Sequence, residues 1–167
     1  IMLIPPMLKL IPKLEKFEVF YLILSVALIL LPFIFGDEKN GSLNWIKIKG
    51  IGFQPSEIVK FLFLLYIACV FRKPLDFKRL CYVTGFAAFI VLCLVLQKDL
   101  GGALIFFVTY MLLLYITTSN FLLLLAGFGG MGLASLLAYK LFGHVRVRVS
   151  TWIDPWKDAG DTGYQIT

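Results

Sequence analysis

The chain has 167 residues, 60% of them hydrophobic and 16% charged, and carries a formal net charge of +6. A soluble domain of this length buries one core but cannot hide so much apolar surface without large exposed patches, so the composition excludes a soluble globular protein and indicates a membrane protein. The surplus of cations requires an anionic partner, lipid head groups or a phosphate-bearing substrate, and not nucleic acid, because the basic residues are scattered over short loops with no recognition module between them.

Met7 to Phe17 comes first, with Lys9, Lys13 and Lys16 on one helical face and Leu8, Leu10, Ile11 and Leu14 largely elsewhere. This predicts residues 1–18 as a cytoplasmic interfacial segment, with a bent surface loop as the alternative that Pro5, Pro6 and Pro12 leave open. Five apolar runs follow, at residues 19–35, 51–71, 81–96, 100–119 and 121–139. Each approaches the roughly 17 to 25 residues of a bilayer-crossing helix, the third only with flanking residues added. None alternates with a period of two, and outside a closed barrel only helices satisfy their own backbone in lipid. The predicted fold class is therefore all-α, a polytopic integral membrane protein with about five transmembrane helices. Cys69, Cys81 and Cys93 lie in or beside these runs without a CxxC pair and read as small apolar side chains, with no metal-ligating role. The chain opens and closes in mid-pattern, which predicts an incomplete protein.

The Lys and Arg counts of the two sets of loops nearly tie. The tight Arg72 to Arg79 loop is the best cytoplasmic marker, since short loops near membrane ends decide orientation. With the N-terminus inside, Lys39, Lys47, Lys49, Lys98, Lys140, Arg146, Arg148 and Lys157 stand outside, a reason to expect an anionic ligand there.

Glu57 and Lys60, near the mouth of the second run, share a helical face, and Pro55 and Ser56 suit a helix start. Either the pair is a buried ion pair that locks two helices, or Lys60 reaches for phosphate while Glu57 holds it. Gln97-Lys98-Asp99, followed by Leu100-Gly101-Gly102, predicts a tight outer turn eased by its glycines. Asp99 is either a plain turn residue or a carboxylate facing a shared outer cavity with Lys60, placed for a metal ion or a sugar hydroxyl. Gly127 to Gly132 fits GxGxxG, but it lies inside an apolar run in which Ala126, Gly130, Ala134 and Ala138 recur every fourth residue, so it reads as a helix-packing stripe and not a nucleotide site. His144 reads as a loop histidine. Residues 140–167 change character and read as the start of a large extracytoplasmic loop. There Arg146 and Arg148 alternate with valines, and Trp152, Asp154, Trp156, Asp158 and Asp161 follow. This is either a solvated loop with an interfacial Trp belt or a set of cations and aromatics for pyrophosphate and sugar.

Gly41-Ser-Leu-Asn-Trp45, Phe53-Gln-Pro-Ser-Glu-Ile-Val-Lys60, Gln97-Lys-Asp-Leu-Gly101, and Arg148 through Asp154-Pro155 to Gly163-Tyr-Gln165 occur in the order and spacing of a known signature. In these motifs the chain resembles the SEDS family (shape, elongation, division and sporulation), which includes the FtsW, RodA and SpoVE proteins. The resemblance implies a roughly ten-helix, multi-pass protein of the bacterial plasma membrane. It implies a peptidoglycan glycosyltransferase that polymerises lipid II at the outer face in cell division, elongation or sporulation. The implied partners are a class B penicillin-binding protein and other divisome or elongasome membrane proteins. A lipid II flippase and a non-catalytic scaffold of the cell-wall machinery are the alternatives. Substrate-binding positions carried over are Glu57, Lys60, Gln97, Asp99, Arg146, Arg148 and Asp154. The family's catalytic aspartate is expected in a Glu-x-x-His-Thr-Asp-Phe motif beyond Thr167, so no catalytic base is assigned among these residues and they are expected to be inactive alone. A divalent cation is left open as a cofactor.

The orientation is tested by cysteine scanning in the intact protein. Asp76→Cys is expected to resist an impermeant thiol reagent added from outside, and labelling there overturns the topology.

Overall fold

The computed structural model describes residues 14–39, 42–48 and 51–153. In chain order they form α1 (Glu18–Phe35), β1 (Asp37–Lys39), β2 (Ser42–Ile48), β3 (Ile51–Phe53), α2 (Pro55–Phe71), α3 (Phe77–Leu96), α4 (Leu100–Thr118), α5 (Phe121–Leu141) and α6 (Gly143–Ile153). They divide into two compact units, one through Thr117 and one from Thr118 onward.

The helical, polytopic expectation holds. α1, α3, α4 and α5 are each long and apolar enough to cross a membrane. α2, with 17 residues, is shorter. At 1.5 Å per residue it reaches about 25 Å against a hydrocarbon layer of about 30 Å. The helix expected from Ile51 begins only at Pro55, because Ile51–Phe53 is the strand β3. Pro55 takes the first helical position, where its missing N–H leaves no bond unmade. α3 begins at Phe77, ahead of the expected Cys81, and so gains the extra turn that its run needed. Asp76 starts it by accepting the Arg79 N–H at 3.2 Å.

The sheet is the element that hydropathy did not predict. β2 is its central strand, antiparallel to β1 on one side and to β3 on the other, with Ile46 opposite Phe53 and Lys47 opposite Gly52. Its strands span only 3, 7 and 3 residues, too short to register as apolar runs. Gly36 lets α1 turn directly into it: a Cβ there would lie 2.2 Å from Pro32 O and 2.7 Å from Leu43 O.

Within the first unit each helix buries one stripe and leaves the rest of its apolar surface facing outward. The stripes run through Tyr21, Ser25, Ile29 and Pro32 on α1, Val59, Phe63, Tyr66, Ile67 and Val70 on α2, Val83, Phe86, Ile90 and Leu94 on α3, and Phe106, Tyr110 and Leu114 on α4. Phe63 is the meeting point. Its ring packs edge-on against Phe106 with centroids 5.0 Å apart and lies tilted against Phe86 at 5.8 Å, while Tyr66 meets Phe86 at 4.8 Å. Tyr110 OH donates to Thr84 Oγ1 at 2.6 Å, and that hydroxyl donates to Leu80 O at 2.7 Å, so a buried phenol is satisfied without water. At the end away from the sheet, Glu15 pairs with Arg72 and Glu18 with Lys73, which ties the start of α1 to the α2–α3 loop.

In the second unit α5 buries no residue, and Cβ atoms added at Gly129, Gly130 or Gly132 would meet nothing within 4 Å. The small-residue stripe is thus on a helix, as read, and at Gly130 it faces open space among the described residues. The expected loop at 140–167 begins instead with the end of α5 and with α6. His144 is a helical residue, stacked 5.5 Å from Phe142. Residues 1–13 of the interfacial segment and residues 154–167 lie outside the described residues.

Phe63→Ala opens a cavity among three helices. The expected cost is about 2 kcal/mol, less than in a soluble core because lipid exacts no transfer penalty, read as a lowered unfolding midpoint in detergent.

Candidate functional site

The end of α3 is where the polar residues of the first unit converge. α3 stops in a Schellman arrangement: Lys98 N–H reaches Val95 O at 3.0 Å, Asp99 N–H reaches Leu94 O at 2.9 Å, and Lys98 takes the left-handed φ of 62°. The turn was expected, but the glycines do not make it. Gly101 and Gly102 lie in the first turn of α4, and the strained position falls on a lysine.

Gln97, fully buried, works with both its backbone and its side chain. Its carbonyl, one that a helix end leaves without an internal partner, accepts Leu43 N–H at 2.9 Å and Ser42 Oγ–H at 3.0 Å. Its Nε2 donates to Ile29 O at 2.6 Å. That carbonyl lies in the turn of α1 that Pro32 disturbs, since proline supplies no N–H and crowds the preceding turn.

Asp99 is the second anchor. Its Oδ1 accepts the Gly102 N–H at 2.8 Å and caps α4, and its Oδ2 accepts Asn44 Nδ2 at 2.7 Å and Gln54 Nε2 at 3.3 Å. Ser42 and Asn44, two apart on β2, share a strand face and meet the turn together. Three neutral donors hold the carboxylate, so its charge is solvated by the protein rather than cancelled. Asn44 is 5% exposed, and its Oδ1 has no partner among the described residues.

Gln54 precedes α2 and donates also to Ser56 Oγ at 2.9 Å. One turn on, Lys60 Nζ lies 2.8 Å from Glu57 Oε1, with the side chains 35% and 58% exposed. The expected pair is formed, but among the described residues it is not a buried lock. At such exposure it contributes under about 1 kcal/mol. Below it a groove of about 140 Å³ runs between α2 and α4, lined by Lys60, Phe63, Leu64, Ile105, Phe106 and Thr109. Its walls are apolar apart from the ammonium and one hydroxyl.

The first unit thus gathers Gln97, Asp99, Glu57 and Lys60 at its sheet end, and adds Asn44 and Gln54, which had not been singled out. Arg146 and Arg148 lie on α6, in the second unit. Their alternation would align them on a strand, but on a helix two residues are about 200° around the axis, so they point to different sides. Arg146 is exposed and Arg148 half-buried. Asp154 lies outside the described residues.

The whole chain, residues 1–167, matches the family model FtsW/RodA/SpoVE, described as cell cycle protein. It is 31% identical over 151 residues to the peptidoglycan glycosyltransferase RodA of Mycobacterium bovis, covering 78% of this chain and 31% of that protein. It is 32% identical over 170 residues to the probable peptidoglycan glycosyltransferase FtsW of Wigglesworthia glossinidia brevipalpis, covering 94% of this chain and 42% of that protein. The FtsW of Alcanivorax borkumensis, also described as a probable peptidoglycan glycosyltransferase, is 34% identical over 159 residues. Among solved structures, a chain from a study of polymerization and crosslinking by a peptidoglycan synthase complex superposes with a TM-score of 0.65 at 27% identity, over 93% of this chain and 47% of that one. The chain spans about 31% to 42% of the length of these curated relatives.

Gly102→Ala tests the Asp99 anchor. An added Cβ would stand 2.7 Å from Oδ2 and 2.9 Å from Cγ, so the carboxylate must leave its cap. A loss of about 1 kcal/mol is expected in unfolding measurements, with the first turn of α4 exchanging its amide hydrogens faster.

Proposed function

Because the chain belongs to the FtsW/RodA/SpoVE family, we propose that the protein is a peptidoglycan glycosyltransferase that polymerises lipid II. Its long apolar helices and its family make it a multi-pass membrane protein. Under this proposal the membrane is the bacterial plasma membrane, and the sheet end of the first unit faces outward. A class B penicillin-binding protein is the proposed partner, within the divisome or elongasome. The likeness to a chain from a synthase complex that couples polymerization to crosslinking supports it.

The observation that carries the reading is Lys60, an ammonium at an apolar groove between α2 and α4, on α2 just after Gln54, whose side chain donates to Asp99. Lipid II has a matching polarity: a polyprenyl chain, a pyrophosphate and a sugar. In the reaction the anomeric carbon loses its polyprenyl pyrophosphate while an acceptor hydroxyl attacks and gives up its proton. A cation at the leaving group stabilises the charge that builds there, and a carboxylate takes the proton. Lys60 is assigned to the pyrophosphate and Glu57 to holding the ammonium in place. Asp99 and Gln97 line the same end, and Arg146, Arg148 and Asp154 remain candidates for the sugar and phosphate from the following segment. The proton acceptor is not assigned to any of these residues.

Lys60→Met in the intact protein is expected to lower lipid II polymerisation by at least about 100-fold while the protein remains inserted, the scale of losing one charged group at the reacting centre. Glu57→Leu alone is expected to cost under about 1 kcal/mol of stability, because the Glu57 carboxylate is exposed and the Lys60 ammonium half-exposed. The double replacement of Glu57 by Leu and Lys60 by Met is expected to be stable and inactive. Activity in the double variant would show that the two charges serve only each other.

A further inference from the structure

Gln54 directs its carboxamide at two elements. One N–H goes to Ser56 Oγ in the first turn of α2 at 2.9 Å, and the other to Asp99 Oδ2 on the α3–α4 turn at 3.3 Å. Both ends of that bridge are held. Ser56 is 4% exposed, next to a buried Pro55. Asp99 is gripped from β2 by Asn44 at 2.7 Å and from α4 by the Gly102 N–H at 2.8 Å. The backbone carbonyl of Gln54 accepts the Glu57 N–H at 3.1 Å, so the turn carrying Glu57 and Lys60 hangs from Gln54. Each oxygen of Asp99 is occupied, but Oδ1 takes one donor and keeps a lone pair for another.

We propose that Gln54 is a positioning residue for the polymerisation reaction: with Asn44 it sets the Asp99 carboxylate at a fixed place relative to the Lys60 ammonium. A pyrophosphate on Lys60 and a sugar hydroxyl at Asp99 then lie in register in one bound substrate. This inference rests on the reading of Lys60 given above. Gln54 touches no substrate in it and acts through the two groups it bridges. Deleting the bridge leaves both groups present and loosens their separation, and misplacement of reacting groups by about 1 Å is enough to cost about 100-fold in turnover.

The test uses the intact protein in proteoliposomes with synthetic lipid II, comparing wild type, Gln54→Met, Asp99→Asn and the double variant. Gln54→Met is expected to bind lipid II with unchanged stoichiometry and affinity and to turn it over about 100-fold more slowly. On top of Asp99→Asn, the same replacement is expected to change turnover by less than about twofold, since the two side chains act as one unit. A parallel fall in binding stoichiometry and turnover would mean that Gln54 only helps the β3–α2 junction fold, and would overturn the inference. So would an equal effect of Gln54→Met in both backgrounds. Should Gln54→Met fail to accumulate, Gln54→Asn keeps the donors on a side chain one methylene shorter, and the same results decide. An inactive wild type overturns the glycosyltransferase reading and this inference with it. An active wild type beside a fully active Gln54→Met overturns this inference alone.

Discussion

A helix that ends at a membrane surface leaves its last carbonyls without partners, and here the solution to that problem organises the first unit. The carbonyl of Gln97 is taken by the N–H of Leu43 and the hydroxyl of Ser42, both from β2. The side chain of the same residue donates into α1 beside Pro32. One buried residue therefore ties α1, the sheet and the end of α3 together. The alternative, an unsatisfied amide at the membrane boundary, would cost about 1 to 3 kcal/mol for each group left bare. β2 meets the same turn a second time through Asn44, which donates to Asp99 at 2.7 Å.

Two residues further on, the same turn presents Asp99, and the constraint passes from structure to chemistry. The carboxylate is fixed by β2, by the start of α4 and by Gln54 at the start of α2. Neutral donors set its position without neutralising it, which suits a group meant to meet something else. Glu57 and Lys60 sit on the turn that Gln54 begins, and their exposure leaves the ammonium reachable. A buried pair would have been a costly lock, with several kcal/mol of desolvation on each ion. The exposed one costs little to hold and little to break.

At the sheet end Asp99 is held by neutral donors, and Lys60, paired with Glu57, tops an apolar groove. At the other end charge meets charge directly, Glu15 with Arg72 and Glu18 with Lys73, so that part of the basic α2–α3 loop is already answered within the chain. Between them the helices touch along narrow aromatic stripes around Phe63, with the remaining apolar surface turned outward. Lipid makes this arrangement possible, because it gains nothing from burying every leucine and leaves packing to choose the contacts.

The sequence alone determined the helical, multi-pass class, the existence of the long apolar helices, the helix-start signal at Pro55, although the run was drawn from Ile51, the tight turn at Gln97 to Asp99, and the Glu57–Lys60 pairing. Each rests on local properties: length of an apolar run, the missing N–H of proline, spacing along one helix face. The family was also legible, through four short motifs in order. The sheet escaped notice because a three-residue strand has no period to detect, although Asn40-Gly41 between two extended segments is a hairpin signal in the sequence. The tertiary structure decided what lies far apart along the chain. Asn44 and Gln54 meet Asp99 across 55 and 45 residues, and Gln97 meets Ile29 across 68. It also decided that, among the described residues, the ion pair is only partly buried, and that Arg146 and Arg148 lie on a helix, where alternation separates side chains that a strand would align. Partners and burial of this kind follow from which elements pack together, and no local pattern of residues carries that information.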